Sequence, residues 1–173
     1  VVPCIIVTIV LVQYLGAKFK ISRNLSLLID VGTSICGATA IVALAPVIKA
    51  KKEEISYAIA NITIFGLVAM FVYPILAYSV FDNDSLAVGL FLGTSIHETA
   101  QVAGSGMIYA EQYENPSVLD ISTVIKLVRN TMMVVVIPIL AYLSKKSAIQ
   151  NSEINIGSIF PYFILAVSYT HLT

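Results

Sequence analysis

Charge is the scarcest property of this 173-residue chain: ten Lys and Arg and ten Asp and Glu make 12% of it and cancel to a formal net charge of zero. Soluble domains carry about a quarter charged residues. So little charge excludes a disordered tail, and the zero balance leaves no net field to attract nucleic acid. Cysteine is scarce too. Cys4 and Cys36 each lie in an apolar run at no metal-ligand spacing, which excludes a disulfide-stapled module and a metal site. Both read as reduced, buried, small hydrophobes, and no cofactor is expected.

Enzyme motifs are missing as well. His97-Glu-Thr-Ala-Gln101 places Gln101 where a zinc protease needs its second histidine. No G-x-S-x-G elbow, Walker-type loop or dinucleotide fingerprint is present. Ser34 and Ser95 lack a positioned base, because His97 stands two residues from Ser95 and so on another helix face. Catalysis is not expected.

What the chain does have is apolar length. It is 58% hydrophobic, with a mean hydropathy of +0.90, and it reads as an all-α integral membrane protein, a polytopic helical bundle in a lipid bilayer. A bilayer core of ~30 Å takes about 20 apolar residues of helix. Candidate segments occupy residues 1–15, 25–48, 55–81, 86–110 and 119–143, and a sixth begins near Ile156. Short polar breaks separate them, and no soluble domain or low-complexity linker intervenes. The run at 1–15 follows no charged region and no cleavage site, so it is not read as a signal peptide. Residues 1–167 are expected to be the central part of one transmembrane domain, and 168–173 a non-native tail in which His171 has no role.

Two segments are predicted to be discontinuous. Gly32-Thr-Ser-Ile-Cys-Gly37 interrupts the first, and Gly93-Thr-Ser-Ile-His-Glu98 with Gly104-Ser-Gly106 interrupts the second. Glycine weakens a helix interior by ~1 kcal/mol, and Ser and Thr offer competing local hydrogen bonds. Unwound backbone at membrane depth is tolerated only inside protein or along a wet cavity. The plainer alternative is close helix packing through small residues.

Gly-Thr-Ser-Ile recurs at 32 and 93, and Pro-Ile-Leu-Ala-Tyr at 74 and 138, in the same order. The paired words predict a duplicated unit. If both broken segments cross, Lys18, Lys20, Arg23, Lys145 and Lys146 fall opposite Lys49, Lys51 and Lys52. If both dip in and return, all of these share one side, and Asp82, Asp84, Glu111 and Glu114 hold the other. The positive-inside rule favours the second arrangement, which makes the copies an inverted repeat of the kind secondary transporters use.

Ionisable groups at membrane depth are functional hypotheses by default. Lys126 and Arg129 stand three apart on one helix face, suited to a small anionic solute; an arginine fork matches a tetrahedral oxyanion. Backbone N–H groups at Gly32, Thr33, Ser34, Gly93, Thr94 and Ser95 are expected to add neutral donors at half-helix N-termini. His97, partnered by Glu98, is the candidate for a coupling proton. The alternative is a buried network in which Glu98 or Asp30 neutralises Arg129, with Lys126 reaching to the interface.

The words then become specific. Gly32-Thr-Ser-Ile-Cys-Gly37 with Ala45-Pro-Val-Ile48, Ser95-Ile-His-Glu98 with Ala100-Gln101, Lys126-Leu127 with Arg129, and Phe160-Pro-Tyr-Phe163 resemble the YeiH-type sulfate exporter family of bacterial inner-membrane proteins. The resemblance runs to about Ala166. It implies a many-spanning secondary transporter of sulfate or a sulfonate in the inner membrane, of which this chain is a central fragment. Coupling to H⁺ or Na⁺ and a homo-oligomer are compatible with it. A passive anion channel and a non-transporting membrane subunit with structural buried charges stand as alternatives.

Overall fold

A computed structural model describes residues 2–136, 138 and 139. Lys145, Lys146, the segment expected from Ile156, the Phe160 motif, the 168–173 tail and most of the second Pro-Ile-Leu-Ala-Tyr word lie outside the described residues. Those described form helices α1 (Val2–Lys18), α2 (Arg23–Val31), a π-helical turn (Gly32–Cys36), α3 (Ala38–Leu44), α4 (Lys52–Phe81), α5 (Ser85–Ser95), α6 (Thr99–Gln112) and α7 (Ser117–Thr131). No strand occurs among them.

Local chemistry sets the boundaries. Ser22 starts α2 by accepting the Leu25 N–H at 3.3 Å, and Asp84 starts α5 by accepting the N–H groups of Leu86 and Ala87. Asp82, in the left-handed region at φ 46°, ends α4. Gly37 separates the π turn from α3 at φ 75°, ψ −132°, a backbone conformation open in practice only to glycine. The second segment breaks through extended backbone at Ile96 and Glu98 instead.

Both expected interruptions are therefore present, but Gly104 and Gly106 are not part of one. They lie inside α6 as packing glycines: a Cβ on Gly106 would come within 3.0 Å of Leu119 Cα, and one on Gly104 within 2.7 Å of Met70 Sδ. Small residues there bring α4, α6 and α7 close. Cys4 also departs from expectation, being exposed on α1 while Cys36 is buried. Finally, α7 ends at Thr131, one turn residue follows at Met132, and helix resumes at 133–136 and 138–139; the expected end of this apolar segment at 143 lies outside the described residues.

Hydrogen bonds at the outer ends give each broken segment the form of a hairpin. Ser22 Oγ donates to Glu54 Oε1 at 2.5 Å, so the start of α2 meets the start of α4, and farther along Gly32 faces Ile62. Helices α2 and α4 thus run side by side in one direction, and α3 returns. In the second hairpin Ser85 Oγ donates to Asn115 Oδ1 at 3.0 Å, while Asn115 Nδ2 donates to Asn83 O at 3.1 Å and Oδ1 at 3.0 Å. Tyr109 donates to the same Asn83 Oδ1, and Tyr78 stacks on Tyr113 with ring centroids 4.0 Å apart. The two hairpins consequently enter from opposite ends of α4, whose 30 residues reach about 45 Å.

The packing leaves apolar surface outside. Ile64, Phe65, Val68, Phe71 and Ile75 of α4 and Ile6, Val7 and Val10 of α1 are exposed. Among the described residues α4 is the one helix long and apolar enough to cross a membrane, and α1 and α5 are shorter apolar helices. A helix apolar on its outer face is at home in lipid.

Candidate functional site at the hairpin tips

The tips meet midway along α4, and α7 lies against both. Gly93 permits this approach on the α5 side, since a Cβ there would fall 2.7 Å from Ser122 O. Gly-Thr-Ser-Ile occupies the same place in each hairpin, the last turn before the break. That turn leaves backbone carbonyls without intrahelical donors, at the negative end of the helix dipole.

Lys126 and Arg129 answer those carbonyls. Lys126 is 0% exposed, and its Nζ donates to Ile35 O at 3.1 Å, to Ile96 O at 3.0 Å and to His97 O. Arg129, 4% exposed, donates from Nε to Ser34 O at 2.9 Å, from Nη1 to Thr94 O at 2.6 Å and from Nη2 to Thr33 O. The acceptors correspond between the two words: one ammonium holds Ile35 and Ile96, and one guanidinium holds Thr33 and Thr94. All three ammonium protons of Lys126 have partners, whereas three of about five guanidinium N–H donors on Arg129 are engaged.

The opposite end of the break carries the complementary charge. The Ala38 N–H, which opens α3, donates to Glu98 Oε1 at 3.0 Å. A carboxylate from the second hairpin thereby sits at the positive end of a half-helix in the first. Asn130 Nδ2 donates to Thr99 Oγ1 at 3.1 Å at the start of α6, and Gln101 Nε2 donates to Thr63 O on α4 at 3.1 Å.

Several expectations change at this point. Gly32, Thr33, Ser34, Gly93, Thr94 and Ser95 do cluster at the tips, but on the carbonyl side of each break; they close half-helices rather than open them. Their N–H groups lie within helical turns, so the expected row of neutral donors is not there. The half-helix N-termini are at Ala38 and Thr99. Lys126 is buried and does not reach an interface. His97 and Glu98 are not hydrogen-bonded to each other: Glu98 serves Ala38, and His97 Nδ1 is buried without a partner among the described residues. Neither Glu98 nor Asp30 hydrogen-bonds Arg129. Asp30 Oδ2 accepts from Gln13 Nε2 at 2.9 Å, a pairing sequence reasoning missed. Its signal was a lone amide in the apolar run of α1.

Two hairpins tied at their tips by buried cations, inside an apolar exterior, define a helical integral membrane protein. The chain belongs to the family described as Conserved hypothetical protein 698, whose profile matches residues 1–169. It is 35% identical over 165 residues to a UPF0324 membrane protein of Clostridium tetani, covering 87% of this chain and 46% of the relative. A UPF0324 membrane protein of Bacteroides thetaiotaomicron is 34% identical over 161 residues, covering 92% of this chain and 46% of its own length. The UPF0324 inner membrane protein YeiH of Salmonella typhi is 33% identical over 169 residues, covering 94% and 47%. The chain, a bacterial inner-membrane protein of the YeiH-type family, spans about half the length of these curated relatives. No solved structure matches it.

Proposed function

We propose that this chain is the core of a secondary active transporter for a small anion, sulfate or a sulfonate, coupled to H⁺ or Na⁺. The observation carrying the proposal is the shared pair of buried cations on corresponding residues of two hairpins that enter from opposite ends of α4. Hairpins from opposite ends support an inverted repeat of re-entrant segments, the architecture in which alternating access turns about a fixed central site. A charged pair at that depth is costly unless it is used.

In this reading Lys126 and Arg129 first hold the two tips together. The anion then meets the guanidinium N–H groups of Arg129 left over from the carbonyls, beside the hairpin backbone of residues 32–34 and 93–95. His97 and Glu98 stand within the same junction as candidate carriers of a coupling proton. Sulfate suits a guanidinium because its oxygens accept parallel N–H bonds at the fork spacing.

The test is sulfate efflux from proteoliposomes of a full-length relative carrying these residues, with and without a pH gradient. Gradient-accelerated efflux is expected, and Arg129→Ala is expected to abolish it while membrane insertion stays normal. Flux indifferent to the gradient would make the protein a passive channel. Absence of flux for sulfate and simple sulfonates alike would favour a non-transporting subunit whose buried charges are structural.

A further inference from the structure

We propose that Asp30, held by Gln13 of α1 just before the π turn, is a proton-binding site of the transport cycle, separate from the cation pair at the tips. The proposal rests on the transporter reading above. Asp30 is 0% exposed, and its sole hydrogen bond among the described residues is the one Oδ2 accepts from Gln13 Nε2. Its Oδ1 is buried with no partner among the described residues, and so is Ser34 Oγ in the π turn beyond it. Ser26, one turn earlier, packs against Gly16, so this polar stripe faces α1.

Among the described residues no cation is placed to neutralise the carboxylate. The charges on the elements packed around it are Lys18 at the end of α1, Arg23 at the start of α2, and Lys52, Glu53 and Glu54 in the first turn of α4; the π turn and α3 carry none. Arg23 is seven residues along the helix, about 10 Å away. Cys36 and Tyr14 bring no cation, and Arg129 and Lys126 are engaged with carbonyls. An isolated buried carboxylate is among the costliest groups in a membrane protein. Binding a proton removes the charge, and with it the cost of holding an isolated ion in that place. A sodium ion needs several more oxygens than the carboxylate's two. Asp30 lies two residues before the π turn whose Thr33 and Ser34 carbonyls the guanidinium holds, so its charge changes beside that tip.

The experiment uses a full-length relative with these residues, reconstituted in liposomes and read in two ways. Infrared difference spectra across the neutral range should show a protonated-carboxyl band that Asp30→Asn removes. Gln13→Leu, which deletes the one donor to the ionised form, should move the appearance of that band up by about one pH unit. In parallel, the ratio of sulfate flux with and without a pH gradient should fall to one in Asp30→Asn. A band unaffected by Asp30→Asn, or one displaced by Na⁺ at fixed pH, would overturn the proposal. So would a gradient ratio kept in Asp30→Asn and lost in His97→Ala. If no sulfate moves in the wild type, the transporter reading fails by itself, and the infrared band still decides whether Asp30 takes the proton.

Discussion

Lys126 and Arg129 do at one point what caps do at two helix ends. In water the carbonyls of a terminal turn turn to solvent, but inside a membrane each needs a protein donor. An ammonium offers three radiating N–H bonds and a guanidinium a planar fork, and each matches its acceptors: Ile35, Ile96 and His97 around one, Thr33, Ser34 and Thr94 before the other. Lys126→Met keeps the length and the apolar stem while removing three donors. Intramembrane hydrogen bonds average about 0.6 kcal/mol and reach about 1.7, so the expected cost is about 2 kcal/mol, read by equilibrium unfolding of the full-length relative in mixed micelles. A loss below about 0.5 kcal/mol would mean that the tips hold themselves and the ammonium is spare for ligand. The sequence made these two residues visible through their spacing and depth. It could not say whether they face an anion or backbone, because Gly-Thr-Ser-Ile marks that a helix stops without saying which half follows. Gly37 and the extended residues Ile96 and Glu98 settle that, by placing the word at the end of the first half.

At the scale of the element, a hairpin differs from a broken crossing helix only in where its far end lies. Residues 85–95 and 99–112 supply enough helix for either, so length is silent. The decision rests on small polar contacts, chiefly Ser85 with Asn115 and Asn83 with Asn115 and Tyr109. Such pairs join residues about thirty positions apart and leave no periodic trace, which is why only charge distribution hinted at them. The expected outcome follows from the 3.0 Å contact: with Ser85→Cys and Asn115→Cys introduced together, mild oxidation of membranes should join the two thiols within one chain. Peptides cleaved between the positions and still linked would register the bond. Two free thiols, each reactive from a different face, would mean that the segment crosses.

For the whole molecule the hairpins turn a nearly uncharged chain into a polar one along its axis. Lys18, Lys20, Arg23, Lys49, Lys51 and Lys52 gather where the first hairpin opens, with Glu53 and Glu54 among them; Asp82, Asp84, Glu111, Glu114 and Asp120 gather where the second opens. The formal sum of zero hides this separation, since it counts charges without their positions. Positive residues in short loops mark the cytoplasmic face, so the first hairpin is expected to open there and the second to the periplasm. Sidedness of Lys49→Cys and Glu111→Cys tests this directly, because the two topologies differ in it. If both segments return, these residues lie on opposite faces. If both segments cross, the chain inverts twice between them and they share one. An impermeant maleimide applied to spheroplasts of cells making the full-length relative should label Glu111→Cys at once and Lys49→Cys only after the membrane is opened. Labelling of both from outside, or of neither, would place the two loops on one face and overturn the inverted pairing proposed above.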